Sequence, residues 1–270
     1  MKLGIRAHDY GRHNPEELTD KINKVGFKYL QLAIPRSFSN INDFDALSKT
    51  FLNNIHDLFL EKNLEVIIFS CYQDLSNPDP IIRQSAVDTF IKCLEFNTIL
   101  KAHAVGTETS YEYLSKMEKQ RRFPYMMDSL YRITEAAEKF NQDFAIEPVA
   151  WHPLCDVETT REVIDALGTK HVKVIFDLAN VLERPDIINQ SSYWKYCFDI
   201  LGDRIMAIHL KDFIIEENGT YVAKLLGNGC MDFSVLRDYL RRNPDIPVIR
   251  EEIDPRTASR DIEFIRTYFD

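Results

Sequence analysis

Short apolar runs recur along the chain, and between them apolar residues fall three or four positions apart. The runs are KLGIRA (2–7), KYLQLAI (28–34), LEVIIFSCY (64–72), AHAVGTE (102–108), DFAIEP (143–148), HVKVIFD (171–177), IMAIHLK (205–211) and IPVIREE (246–252). Such near-continuous apolar runs read as strands of a parallel sheet buried on both faces. The intervening segments carry the helical period: PEELTDKINKVG, INDFDALSKTFLNNIHDLFLEKN, DPIIRQSAVDTFIKCLEFN, YMMDSLYRITEAAEKFN, TTREVIDALG, SYWKYCFDILG, MDFSVLRDYLRR and ASRDIEFIRTYF. The first has Pro15 near its start and Gly26 at its end, the usual asymmetry of helix termini. Strands and helices alternating over 270 residues predict a (β/α)8 TIM barrel, with residues 1–270 as one domain. A doubly wound open sheet is the alternative. Its usual G-x-G-x-x-G fingerprint is missing from GIRAHDYG, the segment after the first strand.

In a barrel, chemistry gathers at the C-terminal ends of the strands. The last four runs all end in ionisable residues where the pattern calls for apolar ones: Glu147, Asp177, His209, and Glu251 or Glu252. A lone strand-end carboxylate is commonly a helix cap or a partner for a lysine. Four in succession are hard to explain as caps. Three carboxylates and an imidazole sharing one barrel mouth need a positive charge among them. One divalent ion (Mn²⁺, Mg²⁺, Co²⁺ or Zn²⁺) suits that set of oxygens and one nitrogen. On the eighth strand, side chains alternate faces. An inward Glu252 would bring Arg250 inside, which is costly unless paired, so Glu251 is favoured.

Composition narrows the partners. The chain is 45 % hydrophobic and 28 % charged, with a formal net charge of −9. That balance disfavours a nucleic-acid partner, which calls for a basic face, and favours a small substrate. Five scattered cysteines without a CxxC pair fit reduced thiols in the cytoplasm. The start MKLGIRAHD has no secretory apolar run, and no segment has the length of a membrane span.

Several motifs in order resemble the xylose-isomerase-like TIM-barrel superfamily of sugar phosphate isomerases and epimerases. They are GIRAHD, PEELTDKINKVGFKYLQLA, SCYQDLSNPDP, VGTETS, IEPVAWHPL, VIFDLANVL, IHLKDF, LGNGCMDF and IPVIREEID. The resemblance implies a metal held by Glu147, Asp177, His209 and the strand-eight glutamate. It also implies that Glu147 and Glu251 form a proton-transfer pair on opposite faces of a sugar. One position departs: many epimerases have a histidine three residues after the strand-six aspartate, where this chain has Asn180. That weakens a specific ketose 3-epimerase assignment. The histidine-rich zinc cluster of the family's DNA-repair branch has no counterpart here.

The resulting expectation is a metal-dependent sugar or sugar-phosphate isomerase or epimerase that moves a proton through an enediolate. The alternatives are a lyase resembling inosose dehydratase and a non-catalytic sugar-binding barrel. Substrate-contact candidates are His152, Trp151, Asn180, Glu108, Lys211 and His8. Four of them have a plain alternative. His152 also reads as a surface-loop histidine, Trp151 as a pocket wall, Glu108 as a structural hydrogen-bonding group, and Lys211 as the ion-pair partner of Asp212 or of a neighbouring strand's carboxylate. LGNGCMDF reads as a turn and helix cap before it reads as a phosphate site. Cys71 is expected to pack, His56, His103 and His171 to be structural, and His13 to face solvent. A homo-oligomer is compatible with the resemblance.

Overall fold

A computed structural model describes residues 1–182, 189–217 and 220–269. The first strand is β1 (Leu3–Arg6), followed by β2 (Tyr29–Leu32), β3 (Glu65–Ser70), β4 (Ala104–Thr107), β5 (Phe144–Ile146), β6 (Val172–Asp177) and β7 (Ile205–Leu210). A two-stranded hairpin, β8 (Asp212–Ile215) and β9 (Tyr221–Lys224), precedes the last strand, β10 (Val248–Arg250). Strands β1 to β7 and β10 pair in parallel and close in the order β1-β10-β7-β6-β5-β4-β3-β2. This is the (β/α)8 barrel that the alternation predicts.

The helices are α1 (Pro15–Val25), α2 (Ile34–Ser37), α3 (Lys49–Glu61), α4 (Pro80–Leu100), α5 (Lys116–Phe140), α6 (Val157–Leu167), α7 (Leu178–Val181), α8 (Gln190–Leu201), α9 (Ser234–Arg242) and α10 (Ala258–Phe269). Their ends carry the expected chemistry. Asn14 accepts from the Glu17 N–H ahead of Pro15, and Gly26 closes α1 at φ 102°. Two boundaries depart from the periodicity. Helix α5 starts well before Tyr125, because Ser115 and Glu118 form a capping box and the helix runs on through Pro124. Helix α3 starts at Lys49, because Ser48 accepts from the Phe51 N–H and the apolar residues of 41–48 lie in a loop. Among the described residues, no helix is long and apolar enough to cross a membrane.

The barrel interior is filled by small and branched residues, including Ile68, Ala104, Ala145, Ile175, Ala207 and Ile249. Gly106 belongs to this layer: a Cβ there would lie 2.5 Å from Ile68 Cγ2 and 2.8 Å from Ile175 Cδ1. Larger side chains on the outer faces pack against the helices. This alternation turns the residues that end β5, β6, β7 and β10 into the mouth.

Candidate active site

Glu147 follows β5, Asp177 ends β6, and His209 lies one residue from the end of β7, paired in register with Asp177. One ligand atom from each lies within 4.8 Å of the others, and all three side chains are buried. His209 Nδ1 is 3.4 Å from Glu147 Oε1, 3.7 Å from Asp177 Oδ2 and 3.6 Å from Glu251 Oε1. His209 Nδ1 has no hydrogen-bond partner among the described residues. Burial opposes charge on the His209 ring, yet Glu251 and Glu147 outweigh it and hold the imidazole well above its ordinary range. The cluster therefore demands a cation at this point. A proton on Nδ1 meets the demand singly, and a divalent ion among two carboxylates and one imidazole meets it fully. The donor set fits such an ion.

The second strand supplies the support for His209. Gln31 Oε1 lies 2.7 Å from His209 Nε2, while the Gln31 amide donates to Ser70 Oγ and the Tyr72 hydroxyl, each at 3.0 Å. With its NH₂ so occupied, Gln31 presents its oxygen and accepts from Nε2–H. That leaves Nδ1 facing the carboxylates.

Glu251 lies against the other three but is held by cations. Arg6 donates to its Oε1 at 2.8 Å, and Lys211 donates to its Oε2 at 3.1 Å. Burial raises the proton affinity of Glu251, but Lys211, His209 and Arg6 prevail and keep the carboxyl well below its usual range. Glu252 has φ 55° and accepts from the Tyr221 hydroxyl at the rim. Arg250 points outward and pairs with Asp261 of α10 at 2.7 Å, so Glu251 is the mouth-facing glutamate.

Lys211 is buried and pairs with carboxylates of neighbouring strands, not with Asp212. Its Nζ is 2.8 Å from Asp177 Oδ2 and 2.8 Å from Asn180 Oδ1, besides Glu251. Burial works against its charge, but Asp177 and Glu251 more than compensate, so the ammonium is held well above its normal range. Asp212 takes no part in that pairing. Its carboxylate accepts from the backbone N–H groups of Phe213, Gly227, Gly229 and Met231. The loop therefore spends the N–H groups of Gly227, Gly229 and Met231 on Asp212, and α9 begins at Ser234, whose own N–H donates to Asp232 Oδ1. Asn180 donates to Glu147 Oε1 at 2.7 Å.

The remaining candidates spread outward. His152 is buried, not on the surface, and its Nδ1 is 3.7 Å from Glu108 Oε2. Burial pushes Glu108 up to about 8, helped by Glu147 and Glu251, while burial alone takes His152 down to about 4. The two are therefore not an ion pair. Trp151 stacks on Tyr113 with ring centroids 4.9 Å apart. His8 falls on a short 3₁₀ turn, Ala7–Tyr10, beyond β1; burial, then Arg6 and Arg36, lower its pKa to about 3. Cys71 is buried. His13 is half-buried, 2.9 Å from the Tyr10 carbonyl and 3.1 Å from Glu17, in contrast to the solvent-facing position expected of it. Arg6, Gln31 and Tyr72 lie outside the sequence-derived set. Their only signal is a polar or phenolic residue inside or just after an apolar run.

A (β/α)8 barrel with a buried acidic–imidazole cluster at the strand ends defines the structural class. Residues 19–268 match the family described as Xylose isomerase-like TIM barrel, and the chain belongs to that family. No curated protein matches the chain in sequence. Among solved structures, it is similar to 3-keto-D-glucoside 4-epimerase from E. coli, at 17% identity and TM-score 0.76, over 99% of each chain. It is also similar to D-psicose 3-epimerase from Clostridium cellulolyticum H10 with D-tagatose, at 18% identity and TM-score 0.76, over 100% of each chain. A Mycobacterium smegmatis barrel of the same kind in complex with magnesium aligns at 12% identity and TM-score 0.73, over 98% of this chain and 95% of that one.

Proposed function

We propose that the chain is a divalent-metal-dependent isomerase or epimerase of a sugar or related polyol. The observation that carries this reading is the convergence of Glu147, Asp177 and Glu251 on the unpartnered Nδ1 of His209. Glu147, Asp177 and His209 would hold the ion, with Glu251 on the fourth side. When bound, the ion supplies Lewis-acid polarisation of a substrate carbonyl. Glu147 and Glu251 then act as the proton-transfer pair. One takes the proton next to the carbonyl, leaving an enediolate, and the other returns a proton to the opposite face or the neighbouring carbon. Arg6 and Lys211 keep Glu251 ionised and so able to accept. Asn180 fixes the Glu147 carboxylate by donating to Oε1.

A lyase is the second reading, favoured by Lys211. Its ammonium stands between Asp177 and Glu251, and from there it would protonate a departing hydroxyl. Metal-loaded protein should be incubated in D₂O with free ketoses, ketose phosphates and inososes and followed by NMR. Deuterium in a product of unchanged composition supports isomerisation or epimerisation, and loss of water supports the lyase. Absence of exchange with every substrate, together with failure to bind one equivalent of metal, overturns both. Glu147→Gln and Glu251→Gln should each lower turnover by about 10²- to 10⁴-fold, the range general acid–base groups contribute.

A further inference from the structure

The carboxylate oxygens that face His209 Nδ1 already carry donors. Asp177 Oδ2, 3.7 Å from Nδ1, lies 2.8 Å from the Lys211 ammonium. Glu251 Oε1, 3.6 Å from Nδ1, accepts from Arg6 at 2.8 Å, and its Oε2 accepts from Lys211 at 3.1 Å. Glu147 Oε1, 3.4 Å from Nδ1, meets the neutral Asn180 amide at 2.7 Å. Two of the three acids around the ion site are therefore paired with one lysine. The side chains of that triad are nearly closed to water: 6% exposed for Lys211, 1% for Asp177 and 7% for Glu251. Charges so placed are screened far less than at the surface.

The two cations differ in what balances them. Arg6 also binds Asp9 at 2.8 Å, so an acid outside the cluster offsets its charge. Among the described residues, the ion pairs of Lys211 run to Asp177 and Glu251 alone, and Asn180 Oδ1 takes its third contact at 2.8 Å. Asp212, its neighbour in the chain, is spent on the loop N–H groups. Nor does the site need Lys211 for orientation. Asp177 Oδ1 accepts the Asn180 N–H at 3.3 Å. Glu251 is fixed by Arg6 and by its own N–H, which donates to the Leu210 carbonyl at 3.1 Å. What Lys211 adds is a positive charge. An ammonium and a divalent ion drawn to the same two carboxylates repel each other.

We propose that Lys211 is the resident counter-ion of the metal site: it balances Asp177 and Glu251 when no ion is bound, and it lowers the affinity for an ion by holding the same two carboxylates. This rests on the metal-dependent reading above and adds how occupancy of that site is set, with the ion kept exchangeable. A lysine that merely oriented a ligand would act in the opposite direction, since residues of that kind cost about 10- to 100-fold in metal affinity when removed. The sign of the effect separates the two roles.

The test is calorimetric titration of Mn²⁺ into chelator-treated wild type, Lys211→Met and Lys211→Gln. Both variants remove the charge, and glutamine keeps a hydrogen-bond donor, so either one that folds reads the charge. The expected result is a dissociation constant lowered by about tenfold or more in each. Metal-free Lys211→Met should melt below metal-free wild type, because two buried carboxylates lose their cation. Saturating Mn²⁺ should then raise its melting temperature by more than it raises that of wild type. Unchanged or weaker Mn²⁺ binding in the folded variants overturns the proposal and leaves the metal-dependent reading standing. Failure of wild type and variants alike to bind Mn²⁺ overturns both.

Discussion

His209 can offer a lone pair at Nδ1 only when Nε2 carries the proton, and one contact fixes that choice: Gln31 Oε1 at 2.7 Å. The Gln31 amide is in turn oriented by Ser70 and Tyr72. Replacing Gln31 by Leu frees the ring to turn or to carry its proton on Nδ1. Metal affinity should fall about 10- to 100-fold, as for other residues that orient a ligating histidine. Calorimetric titration with Mn²⁺ or Zn²⁺ reads this directly, and an unchanged dissociation constant would refute the role given to Gln31. His152 permits a different experiment. Burial lowers its pKa from 6.5 to about 4, so on acidification the unfolded chain takes up a proton well before the folded protein does. Between those two values stability therefore falls as pH falls, by at most about 1.4 kcal/mol per pH unit from this residue. His152→Asn should flatten that part of the stability profile, measured by urea denaturation between pH 7 and pH 4. Identical slopes for the two proteins would show that His152 is not buried neutral.

At the level of elements, the strands and the chemistry at their ends were legible because burial on both faces leaves a continuous apolar run, and a charge at its end breaks the pattern. Gln31 was hidden inside such a run, since a polar residue facing the barrel axis breaks no period. The β8–β9 hairpin was equally hidden. Its strands alternate weakly, and its dependence on Asp212 is a tertiary fact. Asp212 directly follows Lys211, and it gathers the N–H groups of the 227–231 turn onto one carboxylate. Only glycine fits this arrangement at position 229, where a Cβ would lie 2.0 Å from Asp212 Oδ1 and 2.5 Å from the Phe213 carbonyl. Gly229→Ala should destabilise the protein by about 1–3 kcal/mol, the usual range for overpacking. The same change should raise hydrogen exchange at Gly227 and Met231. Because Lys211 is anchored next to Asp212, turnover should fall with it. Wild-type exchange rates in the 227–231 turn would remove the basis for this account.

For the whole molecule, the decisive step is closure, where β10 pairs with β1 on one side and β7 on the other. Arg250 sits at this seam, 1% exposed, and reaches outward to Asp261 of α10 at 2.7 Å. Asp261 Oδ1 also accepts the Leu226 N–H at 3.0 Å, which ties the loop after β9 to the same point. The sequence suggested that an inward Arg250 would be costly; its partner is more than ten residues away in the chain, and only the packing of α10 on β10 reveals it. The pair therefore sets the parity of β10, with Arg250 outward and Glu251 toward the mouth. Removing one partner leaves a buried charge, so Arg250→Met should cost about 3–5 kcal/mol. In Arg250→Met/Asp261→Asn the charge is gone and the asparagine oxygen still accepts from Leu226. The double variant should thus recover at least half of that loss, a coupling that a double-mutant cycle in urea measures. Strictly additive losses would mean that Arg250 acts through its bulk alone. In that case the outward placement of residue 250, and with it the inward aim of Glu251, would have to come from the β1 and β7 pairing without help from α10.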